Sequence, residues 1–273
     1  MSGIADRGLF GPDSISWRID REVLVLAGGS CALLMQLAHP AVAAGVAEHS
    51  DFRADPFARL RRTLAATHAV VFGTTPRAER AIRRMNAIHA SVAGAVPETG
   101  EPYSALDPAL LLWVHATLVD TAIRVYDRFV APLSADEAEA YHAEAREIAI
   151  RLGASDASLP GTLIDLRAEM DRLIHGGEVR VTATAHSLAS AVLYPTRFPP
   201  RPVWDLAHLV SLSVLPPTIR RGYGITWSRR RDRGVERLAS ASRLLLPLVP
   251  DLLRHVPAAR SAARRLTRAG APR

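Results

Sequence analysis

The stretch VLVLAGGSCALLMQLAHPAVAAGVA, Val23 to Ala47, runs for 25 residues without an Asp, Glu, Lys or Arg. As one helix, a run of that length could cross a bilayer. Gly28, Gly29, Ser30, Gln36 and His39 interrupt its apolar surface, and Pro40 lacks the N–H that an unbroken helix needs at that point. The stretch therefore reads as two helices buried in a large helical core. Its small residues allow close approach of another backbone or a flat ligand.

The rest of the chain carries the same signal. Of 273 residues 48% are apolar, 22% charged and only 5% aromatic, which is globular composition rich in Ala, Leu and Val. Long periodic runs exceed strand length, so an all-α fold in one multi-helix domain spanning 1–273 is expected and a β-sandwich is not. Asp55 and Pro56 read as cap and first turn of a helix that Gly73 closes, followed by a turn over Thr74 to Arg77. Ile82, Met85, His89 and Val92 then recur along one helical stripe, and Gly94 to Asp107 reads as a loop. A helix from Pro108 to Val130 is expected to turn Leu111, His115, Leu118, Ala122 and Val125 to one side, with Asp120 and Arg124 paired at i, i+4. Ser134 and Glu137 form a capping box for a helix running to Leu152. Further helices are expected at 162–174, 179–193, 203–214, 233–246 and 258–268.

Every basic residue is Arg, so no mechanism that needs a Lys nucleophile or Schiff base can operate. The single cysteine, Cys31, excludes an intrachain disulfide and a multi-thiolate zinc site. Met1 to Phe10 lacks a basic segment followed by an apolar one, and a cytoplasmic protein is expected. The net charge of +7 is concentrated at one end: residues 220–273 hold 14 Arg against 3 acids, and residues 1–219 hold 20 against 24. That basic helical region reads first as a solvated face, with peripheral contact to an anionic membrane as a further expectation and no specific nucleic-acid partner, since aromatic residues do not interleave its last cluster.

No glycine-rich phosphate loop, GxSxG elbow or HExxH occurs, so nucleotide binding, α/β-hydrolase chemistry and zincin chemistry lack their signatures. Histidine remains. His39, His68, His89, His115 and His186 all lie in apolar helical stretches, where each is either a hydrogen-bonded core residue or a neutral imidazole suited to iron. Arg59, Arg62 and Thr63 share one helix face at i, i+3 and i+4, and two guanidiniums beside a hydroxyl suit a pair of carboxylates such as haem propionates. A solvated basic stripe is the ordinary alternative, and Arg61, off that face, leans towards it.

The strings Leu33 to Pro40 (LLMQLAHP), Asp55 to Thr63 (DPFARLRRT), Phe72-Gly73, His89 and Trp113 to Thr117 (WVHAT) together resemble the MpaB-type oxygenase and rubber oxygenase (latex clearing protein) superfamily. The likeness extends over roughly residues 15–260. It implies an all-α domain enclosing one b-type haem, with iron on a proximal histidine and dioxygen used on the open side. The rubber oxygenase pattern of Arg, then Lys and Thr three and four residues on, then a ligand His about 30 residues later, falls here on Arg59, Arg62, Thr63 and His89. His89 follows Thr63 by 26 residues, and His115 and His39 are rival ligands. Arg62 fills the Lys position; because a guanidinium stays protonated, it should leave the sixth iron position open. Glu48 and then Glu22 are the nearest candidates for a catalytic acid. The function so implied is a haem b-dependent oxygenase acting on a small apolar, alkene-bearing molecule, an isoprenoid or polyketide, by oxidative C=C cleavage. The alternatives are a haem carrier or sensor without turnover, and a haem-free helical module whose Arg-rich tail meets anionic membrane or nucleic acid.

Overall fold

The computed structural model describes residues 6–50, 56–194 and 200–270, and they are overwhelmingly helical. The chain runs through α1 (Ile15–Asp20), a 3-10 turn (Val23–Gly28), α2 (Gly29–Leu37), α3 (Pro40–His49), α4 (Pro56–Phe72) and α5 (Thr75–His89). A small hairpin, β1 (Ala93–Ala95) and β2 (Pro102–Ser104), leads into α6 (Pro108–Phe129), α7 (Ala135–Arg151), α8 (Leu163–His175) and α9 (Ala183–Leu193). The last part comprises α10 (Arg201–Ala207), α11 (Leu209–Val214), α12 (Pro217–Gly222), α13 (Arg229–Leu245), a 3-10 turn (Leu246–Leu248), α14 (Asp251–Arg254) and α15 (Pro257–Gly270).

The apolar stretch divides where Pro40 requires, and its two halves meet at 107°. Pro40 costs nothing there because the first N–H of a helix has no intrahelical partner. The His39 ring caps the new helix, its Nδ1 accepting from the Ala41 N–H at 3.3 Å. Around α2 wrap α6, α9 and α11, and more than half the residues of α6 are buried. By length and hydropathy α6 could cross a membrane, yet 61% of its apolar window is buried against other helices, as befits a core element. Trp113, fully buried, donates its indole N–H to the Met35 carbonyl at 3.1 Å, and Gln36 donates to Thr117 Oγ1 at 3.2 Å. Two of the strings that carry the resemblance therefore pack directly on each other, α2 against α6.

Asp120 pairs with Arg124 as expected and also binds Arg167 of α8 at 2.8 Å. The Ser134–Glu137 capping box forms. Several expectations change. The loop at 94–107 holds the antiparallel hairpin, in which Gly94 faces Tyr103. A Cβ on Gly94 would lie 2.6 Å from Glu48 Oε2 and 2.8 Å from the Tyr103 hydroxyl, so a larger residue here would displace the tips of both side chains. The turn expected over Thr74 to Arg77 is shorter, because Thr74 is the cap and Pro76 sits in the first turn of α5, where proline is tolerated. On α6, Leu118 is 52% exposed and leaves the stripe assigned to it, since the buried face follows Trp113, Ala116 and Thr117 instead. The helix expected at 179–193 starts only after its Thr182 cap, that at 203–214 breaks at His208, and that at 233–246 starts at Arg229 under a Ser228 cap. Asp55 lies outside the described residues.

Asp20, at the end of α1, accepts from the Tyr141 hydroxyl at 2.9 Å. Burial pushes its carboxyl up to about 7, the Tyr141 hydrogen bond opposes this, and Glu144 adds to it. Between its unfolded pKa of 3.8 and about 7 the folded state holds a proton that the unfolded state has lost, so this group's contribution declines as pH rises through that window. Asp20→Asn should therefore gain in Tm relative to the wild type on going from pH 5 to pH 8, and a pH-independent difference in thermal melts would refute the assignment.

Candidate functional site

Helices α4 and α5 are joined by Gly73 and Thr74 alone and pack on each other, forming an antiparallel hairpin. Gly73 makes the tight join possible, for a Cβ there would stand 2.1 Å from the Ala69 carbonyl oxygen. At about 1.5 Å rise per residue, His89 lies roughly 22 Å from the turn along α5, and Arg59 to Thr63 lie roughly 15–21 Å from it along α4. The hairpin thus brings the Arg-x-x-Arg-Thr segment level with His89, although they stand 26 residues apart in sequence. Arg61, Arg62 and Thr63 are exposed; Arg59 lies on α4 with its side chain outside the described set. An exposed Arg62 and Thr63 are free to meet a ligand, and equally to be solvated.

His89 is the last residue of α5 and half-buried. Its Nδ1 is buried without a hydrogen-bond partner among the described residues, and burial pushes the imidazole below its usual pKa. One turn earlier, Asn86 donates to the Arg151 carbonyl at 3.1 Å and so ties this end of α5 to the end of α7. His115 lies two residues beyond Trp113 and hence on another face of α6. Burial, with His142 and Arg146 adding to it, drives its pKa to about 4. Its Nε2 too is buried and partnerless among the described residues. One turn before His115, Leu111 and Leu112 pack with Ala149 of α7. Both histidines therefore lie within a turn of residues that touch the last two turns of α7.

The other candidates have local partners. His39 spends its Nδ1 lone pair on the cap of α3. His186 is exposed on α9, with Nε2 donating to the Gly222 carbonyl at 2.9 Å, so its expected apolar burial is corrected: the apolar face of α9 is the one carrying Leu188 and Val192. His68 sits half-buried against the Phe72 ring at 5.8 Å. Glu48 accepts from the Tyr103 hydroxyl at 2.7 Å, which commits it to the hairpin. Glu22 is fully buried and bound by Arg254 at 2.8 Å. Sequence reasoning passed over His142, whose ring lies 6.4 Å from that of His115. Its Nε2–H donates to the Pro160 carbonyl at 3.1 Å, leaving a buried Nδ1 lone pair without a partner among the described residues. The alternation of Ala and Glu around it on α7 gave no signal of a buried imidazole.

As a test of the haem expectation, the donor chemistry fits. An iron ligand must be a neutral imidazole with a free lone pair, and burial keeps His89 and His115 neutral at pH 7 with one partnerless ring nitrogen each. Among the described residues no group of three or more His, Cys, Asp or Glu gathers to hold a metal, whereas haem iron needs a single protein ligand.

Comparison with known proteins agrees with the motifs. Residues 17–244 match the family described as "ER-bound oxygenase mpaB/B'/Rubber oxygenase, catalytic domain". Among curated proteins, the chain is 27% identical over 227 residues to "Uncharacterized protein Rv2237" of Mycobacterium tuberculosis and to "Uncharacterized protein Mb2261" of Mycobacterium bovis, covering 80% of this chain and 87% of each relative. No solved structure matches it. With its helical architecture and most of its length inside the match, the chain belongs to the family of MpaB and rubber oxygenase catalytic domains.

Proposed function

We propose that the protein is a haem b-dependent oxygenase that acts with dioxygen on a small apolar, alkene-bearing substrate, an isoprenoid or polyketide, and cleaves its double bond oxidatively. The observation that carries this reading is the α4–α5 hairpin, which sets a half-buried, neutral His89, its Nδ1 enclosed, level with Arg59, Arg62 and Thr63. His89 would hold the iron, with His115 as the rival ligand on α6. Arg59 and Arg62 would hold the propionates by forked, charge-assisted hydrogen bonds, and the Thr63 hydroxyl would add one more. Bound haem would supply the dioxygen chemistry, and the helical core would keep water away from it. Arg62 stays protonated, so it would orient a carboxylate without competing for iron. The active protein is expected to be cytoplasmic.

The test is the visible absorption spectrum of protein produced with haem precursor, recorded before and after dithionite and again with carbon monoxide. A Soret band that shifts on reduction and shifts again with carbon monoxide is expected, followed by dioxygen consumption that depends on an alkene. A flat spectrum from haem-replete protein would overturn the proposal.

A further inference from the structure

Among the described residues, five of the twelve large apolar side chains left exposed by the fold fall in one short segment. From the last residues of α13 into α14, the segment Leu244 to Leu253 leaves Leu244 74%, Leu245 54%, Leu248 78%, Leu252 68% and Leu253 69% exposed. Leucines at those exposures, five within ten residues, are unlike the singly scattered apolar residues of an ordinary surface. Val23 and Leu26 come to the same region from the opposite end of the sequence. They are 42% and 36% exposed and share one side of a 3-10 turn that packs on α14. The platform is firmly anchored: Glu22, fully buried, binds Arg254 at 2.8 Å, and the Val256 N–H donates to the Arg21 carbonyl at 2.8 Å.

Charge decides what covers this tip. On α13, Arg230, Arg233 and Arg237 fall within about 60° of Leu244 around the helix, at 100° per residue. Arg237 stands roughly 10 Å and Arg230 roughly 20 Å up the axis from that leucine. Apolar residues at the end of a helix with arginines from about 10 to 20 Å above them follow the layering of a bilayer, acyl chains below and phosphates above. Residues 220–273 carry 14 Arg against 3 acids, so pairing two copies through this tip would bring like charges together, whereas anionic headgroups neutralise them. The family match ends at residue 244, so nearly all of the leucine segment lies beyond the catalytic domain it defines.

We infer that the Leu244–Leu253 tip, with Val23 and Leu26 beside it, inserts into the interface of an anionic lipid bilayer while the α13 arginines bind its headgroup phosphates. The protein would then sit on a membrane without spanning it and, on the proposed oxygenase reading, draw its apolar substrate from there.

Full-length protein should float with vesicles of three parts phosphatidylcholine to one part phosphatidylglycerol, and much less with phosphatidylcholine alone. The pair Leu248→Asp and Leu252→Asp should lower flotation at least tenfold with the helical circular dichroism unchanged. Replacing Arg230, Arg233 and Arg237 by Ser should abolish both the preference for phosphatidylglycerol and its sensitivity to salt. Insertion can be read directly: Cys31 is only 1% exposed, so an environment-sensitive dye on Leu252→Cys labels that site alone and should shift to the blue with anionic vesicles. The inference falls if the wild type stays unbound to both vesicle types, if the aspartate pair floats as well as the wild type, if the dye does not shift, or if the leucines instead hold a dimer that the aspartate pair dissociates while vesicles bind neither form.

Discussion

His89→Ala is expected to reduce the haem retained by protein expressed with haem precursor more than tenfold, while His115→Ala keeps most of it. On the proposed reading one imidazole would hold the iron, and haem without that bond would be retained only by apolar contact and by the arginines that would bind its carboxylates. His89 is favoured over His115 by position, because the hairpin places it level along the helix axis with Arg59, Arg62 and Thr63, the residues that would hold the propionates on the proposed reading. Either residue is neutral at pH 7 and has a ring nitrogen without a partner among the described residues, so neither protonation nor competition separates them. Haem content from the pyridine haemochrome spectrum, compared across His89→Ala, His115→Ala and His39→Ala, makes the distinction. Collapse in His115→Ala with full content in His89→Ala would move the ligand to α6. Full content in all three would remove histidine ligation from the proposal. Arg62→Ala should lower haem retention more mildly, severalfold, since one charge-assisted contact is lost and Arg59 remains; a silent Arg62→Ala would show the residue to be solvated, as its exposure permits.

How much of this was legible in the sequence depends on the range of the interactions. Pro40 ends one helix and begins another by covalent geometry, and Ser134 with Glu137, or Asp120 with Arg124, act within one turn, so those features could be read directly. The hairpin could not: Ala93 to Ala95 has no β-branched residue, and the Tyr103 hydroxyl of its second strand is held by Glu48, which arrives from α3. Leu118 fits the helical stripe drawn on α6, yet which face is buried is set by α2, through Trp113 and Thr117. The same limit applies to the site. The two-residue join that makes α4 and α5 antiparallel turns the spacing from Thr63 to His89 into proximity along the axis, while the packing of His115 on His142 and the exposure of His186 depend on partners 27 and 36 residues away.

Glu22 separates a structural carboxylate from a catalytic one, and the second large effect is expected there. Its side chain is fully buried, with Arg254 at 2.8 Å, His255 at 3.4 Å and Arg21 at 3.6 Å, all supplied by the segments that dock the C-terminal region onto the 3-10 turn. Arg254 is only 21% exposed, so Glu22→Ala leaves a largely desolvated guanidinium facing a vacated carboxylate site. Breaking a buried pair from one side costs about 3–5 kcal/mol, and the lower end is expected because Arg254 and Arg21 keep some access to water. Urea unfolding should show a midpoint shift of that size, and Glu22→Gln, which keeps the shape and one acceptor, should lose less. A catalytic acid would give the opposite pattern: Glu22→Gln would melt like the wild type and lose turnover. Because α14 hangs from this carboxylate, Glu22→Ala should also loosen the leucine tip, and protease cleavage between α13 and α15 should accelerate before the remainder of the chain becomes susceptible. An unchanged midpoint and an unchanged cleavage pattern would mean that the C-terminal region is held by α15 packing on Trp17, Val71 and Phe72 alone.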